Sequence, residues 1–274
     1  MDNDLRGQID ALNRQAWAIF RHDPPRAQAL SQAALAQASQ AQPPYLQGVL
    51  ESRRTLSQVC VGRGDYPQAL AHAEAGMQLV AAEALDAAPT AVRHAWLMAA
   101  HGRAMALNYL QGAQDSLVQL YENLALAERL GDTLAQAVAL NGIASDRHHL
   151  GELDEARALY ARCLALLQSL DEPFWEALAR YNVGALCEDR QEYAEGLQYV
   201  LQALQLAERL DDTLGQAVAL NGLASNHHHL GNLDEARALY ARCLALLQPL
   251  DEPFWEALAR YNVGALCEDR QEYA

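Results

Sequence analysis

With 274 residues, half of them apolar, the chain has room for one or two globular domains or for a single extended repeat array. Abundant Ala, Leu and Gln against sparse Ile, Val, Thr and Phe favours helix over strand, so the composition reads as all-α. A formal net charge of -15, with 35 acidic against 20 basic residues and no basic cluster able to follow a phosphate backbone, argues against nucleic acid and leaves neutral or basic partners.

The first forty residues read as a degenerate helix pair, with Trp17, a break at Asp23-Pro24-Pro25 and an Ala-rich stretch over 27–39. A second pair is expected over 45–80, turning at Gly64-Asp65-Tyr66 and carrying Ala69. The turn glycines Gly64 and Gly112 lie 48 residues apart, whereas Gly112 and Gly151 lie 39 apart. About nine extra residues therefore fall around 82–91 (AEALDAAPTA), read as a longer connection because helical periodicity resumes at once. The whole chain is expected to be one array: degenerate repeats over 1–94, a divergent repeat over 95–130, then blocks 131–210 and 211–274.

From 131 onward the local signals sharpen. Thr133 with Gln136 has the form of a capping box, and Leu140, Ile143, Ala144 and Leu150 keep the spacing of a buried stripe. Gly151 ends that helix. A second helix from about Asp154 to Leu167 should bury Ala156, Leu159, Tyr160, Cys163, Leu164 and Leu167, with Arg157, Ala161 and Arg162 off the stripe. Acidic residues beside a proline at Asp171-Glu172-Pro173 open the next pair, and the same signal returns at Asp251-Glu252-Pro253.

Internal repetition is the strongest feature. Residues 131–194 recur as 211–274 with seven differences: Gly131/Asp211, Ala135/Gly215, Ile143/Leu223, Asp146/Asn226, Arg147/His227, Glu152/Asn232 and Ser169/Pro249. Inside that 80-residue period lies a weaker one near 40, in which LGELDEARALYARCLALLQ at 150–168 answers RQEYAEGLQYVLQALQLAE at 190–208. One unit is a helix pair.

These residues resemble tetratricopeptide repeats, in the roughly 40-residue form common in bacterial regulatory proteins. Leu140, Ile143, Ala144 and Arg147 fall on first-helix positions and Ala156 and Tyr160 on second-helix positions; Val183, Gly184, Cys187, Gly196 and Val200 match in the following unit. Arg147, Arg180 and Gln191 depart from the consensus residue types. The resemblance implies a right-handed superhelical solenoid of antiparallel helix pairs that binds protein or peptide, without catalysis and without a cofactor.

It also implies a concave groove lined by a second stripe on each first helix. In one kind of unit that stripe is Asn141, Ser145, His148 and His149, repeated as Asn221, Ser225, His228 and His229. In the other it is Tyr181, Asn182, Glu188 and Asp189, repeated as Tyr261, Asn262, Glu268 and Asp269. Imidazole layers thus alternate with carboxylate layers. Asn and Tyr would bond an extended peptide backbone while His and acid layers select its side chains; the plain alternative is a solvated polar face. Asn141, Tyr181 and Asn221 are expected to face away from the core.

Other chemistry finds little support in the residues. Adjacent helix positions diverge by about 100°, and successive layers stack on the order of 10 Å apart, so the run His227-His228-His229 and its earlier counterpart cannot share one ion. No metal site is expected. His149 and Glu188 have the look of a catalytic dyad but lack a nucleophile, and there is no Gly-rich phosphate loop. Five cysteines without a CxxC pair suit reduced, buried thiols. No apolar run approaches membrane-spanning length and the opening MDNDLRGQID lacks the form of a signal peptide, so a cytoplasmic location is expected.

Two roles follow. One is a stand-alone adaptor scaffold; the other, favoured, is the sensory or regulatory segment of a larger bacterial signalling protein. Gln271-Glu272-Tyr273-Ala274 match the opening of a second helix at 191–194, so the array is expected to continue beyond them. Val263, Leu266 and Cys267 would then lack a covering helix in this chain, and self-association through that repeat is expected.

Overall fold

Several helices start at a capping carboxylate, Asp23, Asp65, Asp132 or Asp212, or at a proline, Pro173 or Pro253. In the computed structural model, which describes residues 3–250 and 252–269, every regular element is helical. They are α1 (Asn3–Ile19), α2 (Pro24–Gln40), α3 (Leu46–Gly62), α4 (Tyr66–Met77), a 3₁₀ turn (Ala82–Ala87), α5 (Thr90–Gln111), α6 (Ala113–Leu130), α7 (Thr133–His149), α8 (Leu153–Leu167), α9 (Pro173–Asp189), α10 (Tyr193–Arg209), α11 (Thr213–His229), α12 (Leu233–Leu247) and α13 (Pro253–Asp269). They gather into two compact units that divide between Leu150 and Gly151.

In the first unit each helix from α1 to α7 packs on the next, and the first helices of successive pairs (α1, α3, α5, α7) also pack on one another. The second unit repeats this scheme, with α8 to α13 packed in sequence and α11 between α9 and α13. This is the stacking of helix pairs expected from the 40-residue period. Of the stripe expected on α8, Ala156, Leu159, Tyr160, Cys163 and Leu167 are buried and Leu164 is half-buried at its edge; Ala236, Leu239, Tyr240, Cys243 and Leu247 are buried on α12. Each fully buried Leu in such a stripe stabilises the stack by about 1.5–3 kcal/mol.

Several local expectations need correction. Asp132, rather than Thr133, caps α7: its carboxylate accepts from Ala135 N at 2.9 Å, and Asp212 does the same for Gly215 N. Gln136 does not close a capping box but donates to Ala127 O on α6 at 3.4 Å. Leu150 is 39 % exposed, because it lies one residue past α7, where helical spacing no longer carries a side chain inward. The segment 82–91 is more than a loop: it winds into the 3₁₀ turn and drives Leu85 fully into the core beside Leu50, Val92 and Ala95. Asp251 of the second Asp-Glu-Pro signal and the segment Gln271–Ala274 lie outside the described residues.

Candidate functional site

Placing the first helices of the second unit side by side brings their polar edges into register. Asn262 on α13 donates from Nδ2 to Asn221 Oδ1 on α11 at 3.1 Å. Ser225 on α11 donates to Glu188 Oε1 on α9 at 2.6 Å, and His229 Nε2 stands 3.6 Å from the same oxygen. Its ring stacks on Tyr193 at 4.7 Å. One residue back, His228 Nε2 meets Asp269 Oδ2 on α13 at 2.7 Å. The α11 imidazoles thus stand between carboxylates of α9 and α13, in contact with both. They interlock across helices, His228 facing Asp269 on α13 and His229 facing Glu188 on α9, while His227 meets Asn232 beyond the end of its own helix at 3.3 Å.

The outermost side chains of this face are Asp189, Tyr261, Glu268 and Asp269, all exposed; Asn182, Glu188, Ser225, His228 and Asn262 are half-buried, and His229 is exposed. In the first unit, Ser145 and His148 on α7 are half-buried and His149 is exposed, with the two imidazoles stacked at 6.0 Å.

The expectation that Asn141, Tyr181 and Asn221 face away from the core is corrected. Asn141 and Asn221 are each only 6 % exposed. They sit at the seam where neighbouring first helices meet, so their position flanks the core instead of opposing it. Tyr181 lies across Gly222 of α11, where an added Cβ would stand 3.3 Å from its ring, and meets Trp255 edge-on at 6.5 Å. Burial, then the field of Glu188, raises its phenol above the ordinary range. The same position one 80-residue period earlier is His101, lying over Gly142 at 3.3 Å from its would-be Cβ. Burial alone pushes His101 down to about 4, so the imidazole is neutral. Reading the residues did not find this crossover, because sequence identity fails upstream of 131; only the fold shows that His101 and Tyr181 are equivalent.

Among the described residues, Cys187, Glu192 and Glu195 bring thiol and carboxylate donors within 4.8 Å of one another. Those carboxylates already hold Arg157 at 2.5 and 2.9 Å, and Glu192 also holds Arg190 at 3.0 Å. Burial, reinforced by the field of Glu195, pushes the Cys187 thiol up to about 11, which favours its protonated form. The arrangement thus serves as an ion-pair clasp joining α8, α9 and α10. No described helix is long and apolar enough to cross a membrane.

The tetratricopeptide repeat model matches residues 175–248 and again 215–274. The chain is 28 % identical over 156 residues to Tonsoku-like protein of Bos taurus, which covers 48 % of this chain and 11 % of that one. It therefore spans about a tenth of that relative's length. Among solved structures it resembles BtubC (BKLC) from P. vanneervenii, with a TM-score of 0.55 at 16 % identity over 89 % of this chain and 91 % of that one. It also resembles a Rap protein complexed with competence and sporulation factor, with a TM-score of 0.62 at 12 % identity over 97 % and 76 % of the two chains.

Proposed function

We propose that the chain, whose residues 175–248 and 215–274 match the tetratricopeptide repeat model, captures an extended, basic peptide segment along the polar edges of α9, α11 and α13. The observation that carries this reading is the outward row of Asp189, Glu268 and Asp269 set on a ladder of cross-helix hydrogen bonds. The ladder holds the helices in register, so a ligand meets fixed partners and less of its binding energy is lost in ordering them. The exposed acids complement Lys or Arg side chains, while Tyr261 and Asn262 offer a hydroxyl and a carboxamide to a peptide backbone.

Repeats of this family are generally non-catalytic binding modules, and the Rap neighbour was solved with competence and sporulation factor bound. A protein or peptide ligand is in keeping with that neighbour's fold, and the role we propose for this chain is the sensory or regulatory segment of a bacterial signalling protein working in the cytoplasm. A labelled, arginine-rich extended peptide should bind and raise fluorescence anisotropy, and an acidic peptide of equal length should not. Combining Asp189→Asn, Glu268→Gln and Asp269→Asn should weaken binding at least tenfold, about 1.4 kcal/mol or more, and flatten its salt dependence. Equal affinity for both peptides, or no effect of the triple substitution, overturns the reading.

A further inference from the structure

The extra residues between α4 and α5 build something. Leu85, fully buried, anchors the 3₁₀ turn in the core, and the Trp96 indole N–H donates to Met77 O at 3.1 Å and Val80 O at 3.0 Å. Those bonds fix the ring as a rigid wall. Between α4, the turn and α5 lies an open recess of about 310 Å³ whose apolar wall is formed by Met77, Val80, Ala82 and Trp96. At its rim Arg103 Nε meets Glu74 Oε1 at 3.2 Å, with the two side chains 28 % and 41 % exposed. Arg103 Nη1 is held by Gln119 of α6, which leaves Nη2 and the second Glu74 oxygen to a ligand.

We propose that this recess is a second ligand site, distinct from the α9–α13 face, that takes a free apolar α-amino acid of about the size of leucine or methionine. The volume lies at the low end of small-molecule pockets, about 300 Å³, which limits the occupant to something this small. The ligand's carboxylate pairs with Arg103, its ammonium pairs with Glu74, and its side chain replaces water against Met77, Val80 and Trp96. A preformed pair of opposite charges beside an apolar recess matches a zwitterion, which offers a partner of opposite sign to each, whereas a ligand carrying only one of the two groups gains one such contact.

Calorimetric titration of the full chain with L-leucine tests this, with isopentylamine and 4-methylpentanoic acid as ligands lacking the carboxylate and the ammonium respectively. N-acetyl-leucine and leucinamide distinguish a peptide terminus from the free amino acid. Leucine should bind saturably and all four analogues at least tenfold more weakly. Ala82→Phe, which fills the recess from the 3₁₀ turn, should abolish binding with helicity unchanged, and Arg103→Gln should weaken it at least tenfold. The proposal is overturned if leucine gives no saturable heat up to about 10 mM, a concentration that would reveal even very weak sites, or if any analogue equals leucine. It is likewise overturned if leucine binds a folded Ala82→Phe protein unchanged. None of these outcomes bears on peptide capture by the α9–α13 face.

Discussion

At the scale of single residues, the two near-identical blocks act as a mutational experiment the chain has performed on itself. Asp146 on α7 is 5 % exposed. Burial raises its carboxyl above the ordinary 3.8, while hydrogen bonds from Ser116 and Asn108 and the field of His149 pull less strongly the other way. Its Oδ2 has no hydrogen-bond partner. The second block places Asn226 there; its Oδ1 also lacks a partner, but the carboxamide is uncharged and donates from Nδ2 to Gly222 O at 2.9 Å. A carboxyl whose folded value is raised contributes stability that is full below the ordinary value and lost as pH rises through the folded one, so at neutral pH Asp146 is a cost. Asp146→Asn should therefore stabilise the protein by about 1 kcal/mol at pH 7, with the new amide donating to Gly142 O. Its advantage should vanish at about pH 3, where both side chains are neutral. Urea melts of both proteins at the two pH values check this, and an equal or larger gain in acid would contradict it. The repeat alignment in the sequence exposes the Asp146/Asn226 difference, but only burial reveals its sign.

At the scale of helices, most of the fold was legible because periodicity depends on side-chain volume and polarity alone. The expected span of α8 differs from the observed one by a single residue at its start. Caps were less legible, since Asp132 and Thr133 are adjacent and either type can cap; the carboxylate reaches Ala135 N while Thr133 enters the helix. Faces were the least legible. A helical wheel divides residues into core and solvent, but a stacked helix has three environments, and Asn141 and Asn221 occupy the seam between neighbours. Gly184 falls on a repeat position, but how closely two helices approach there shows only in the packing. At Gly184 an added Cβ would stand 2.3 Å from Val200 Cγ2 and 3.4 Å from Gly196 O, so α9 and α10 cross there with no room for a methyl group. Gly184→Ala should cost about 1–3 kcal/mol through overpacking. Its counterpart Gly264 has nothing within 4 Å of an added Cβ. Gly264→Ala should therefore be neutral or stabilise by up to about 1 kcal/mol, the helix propensity difference. Equal destabilisation by both substitutions in thermal melts would show that backbone propensity, rather than the crossing, governs these positions.

At the scale of the whole molecule, charge is unevenly placed. Residues 1–150 hold 11 arginines against 14 acids, whereas 151–274 hold 9 against 21. The acidic excess thus falls in the part of the chain that carries the α9, α11 and α13 edges, and a basic ligand should be steered there with an ionic-strength-dependent on-rate. The sequence supplied the residues of this face; the interlocking of His228 with Asp269, and of Ser225 and His229 with Glu188, required helix register that no periodicity encodes. The central claim is that ligand lies on the first helices and not on the exposed side of the second ones. Photocrosslinking addresses it directly, with benzoylphenylalanine placed singly at Tyr261 on α13, at Asp189 on α9, or at exposed Arg242 on α12. The account predicts crosslinks to a bound arginine-rich peptide from positions 261 and 189 and none from 242; crosslinking from 242 with silence at 261 and 189 would contradict it.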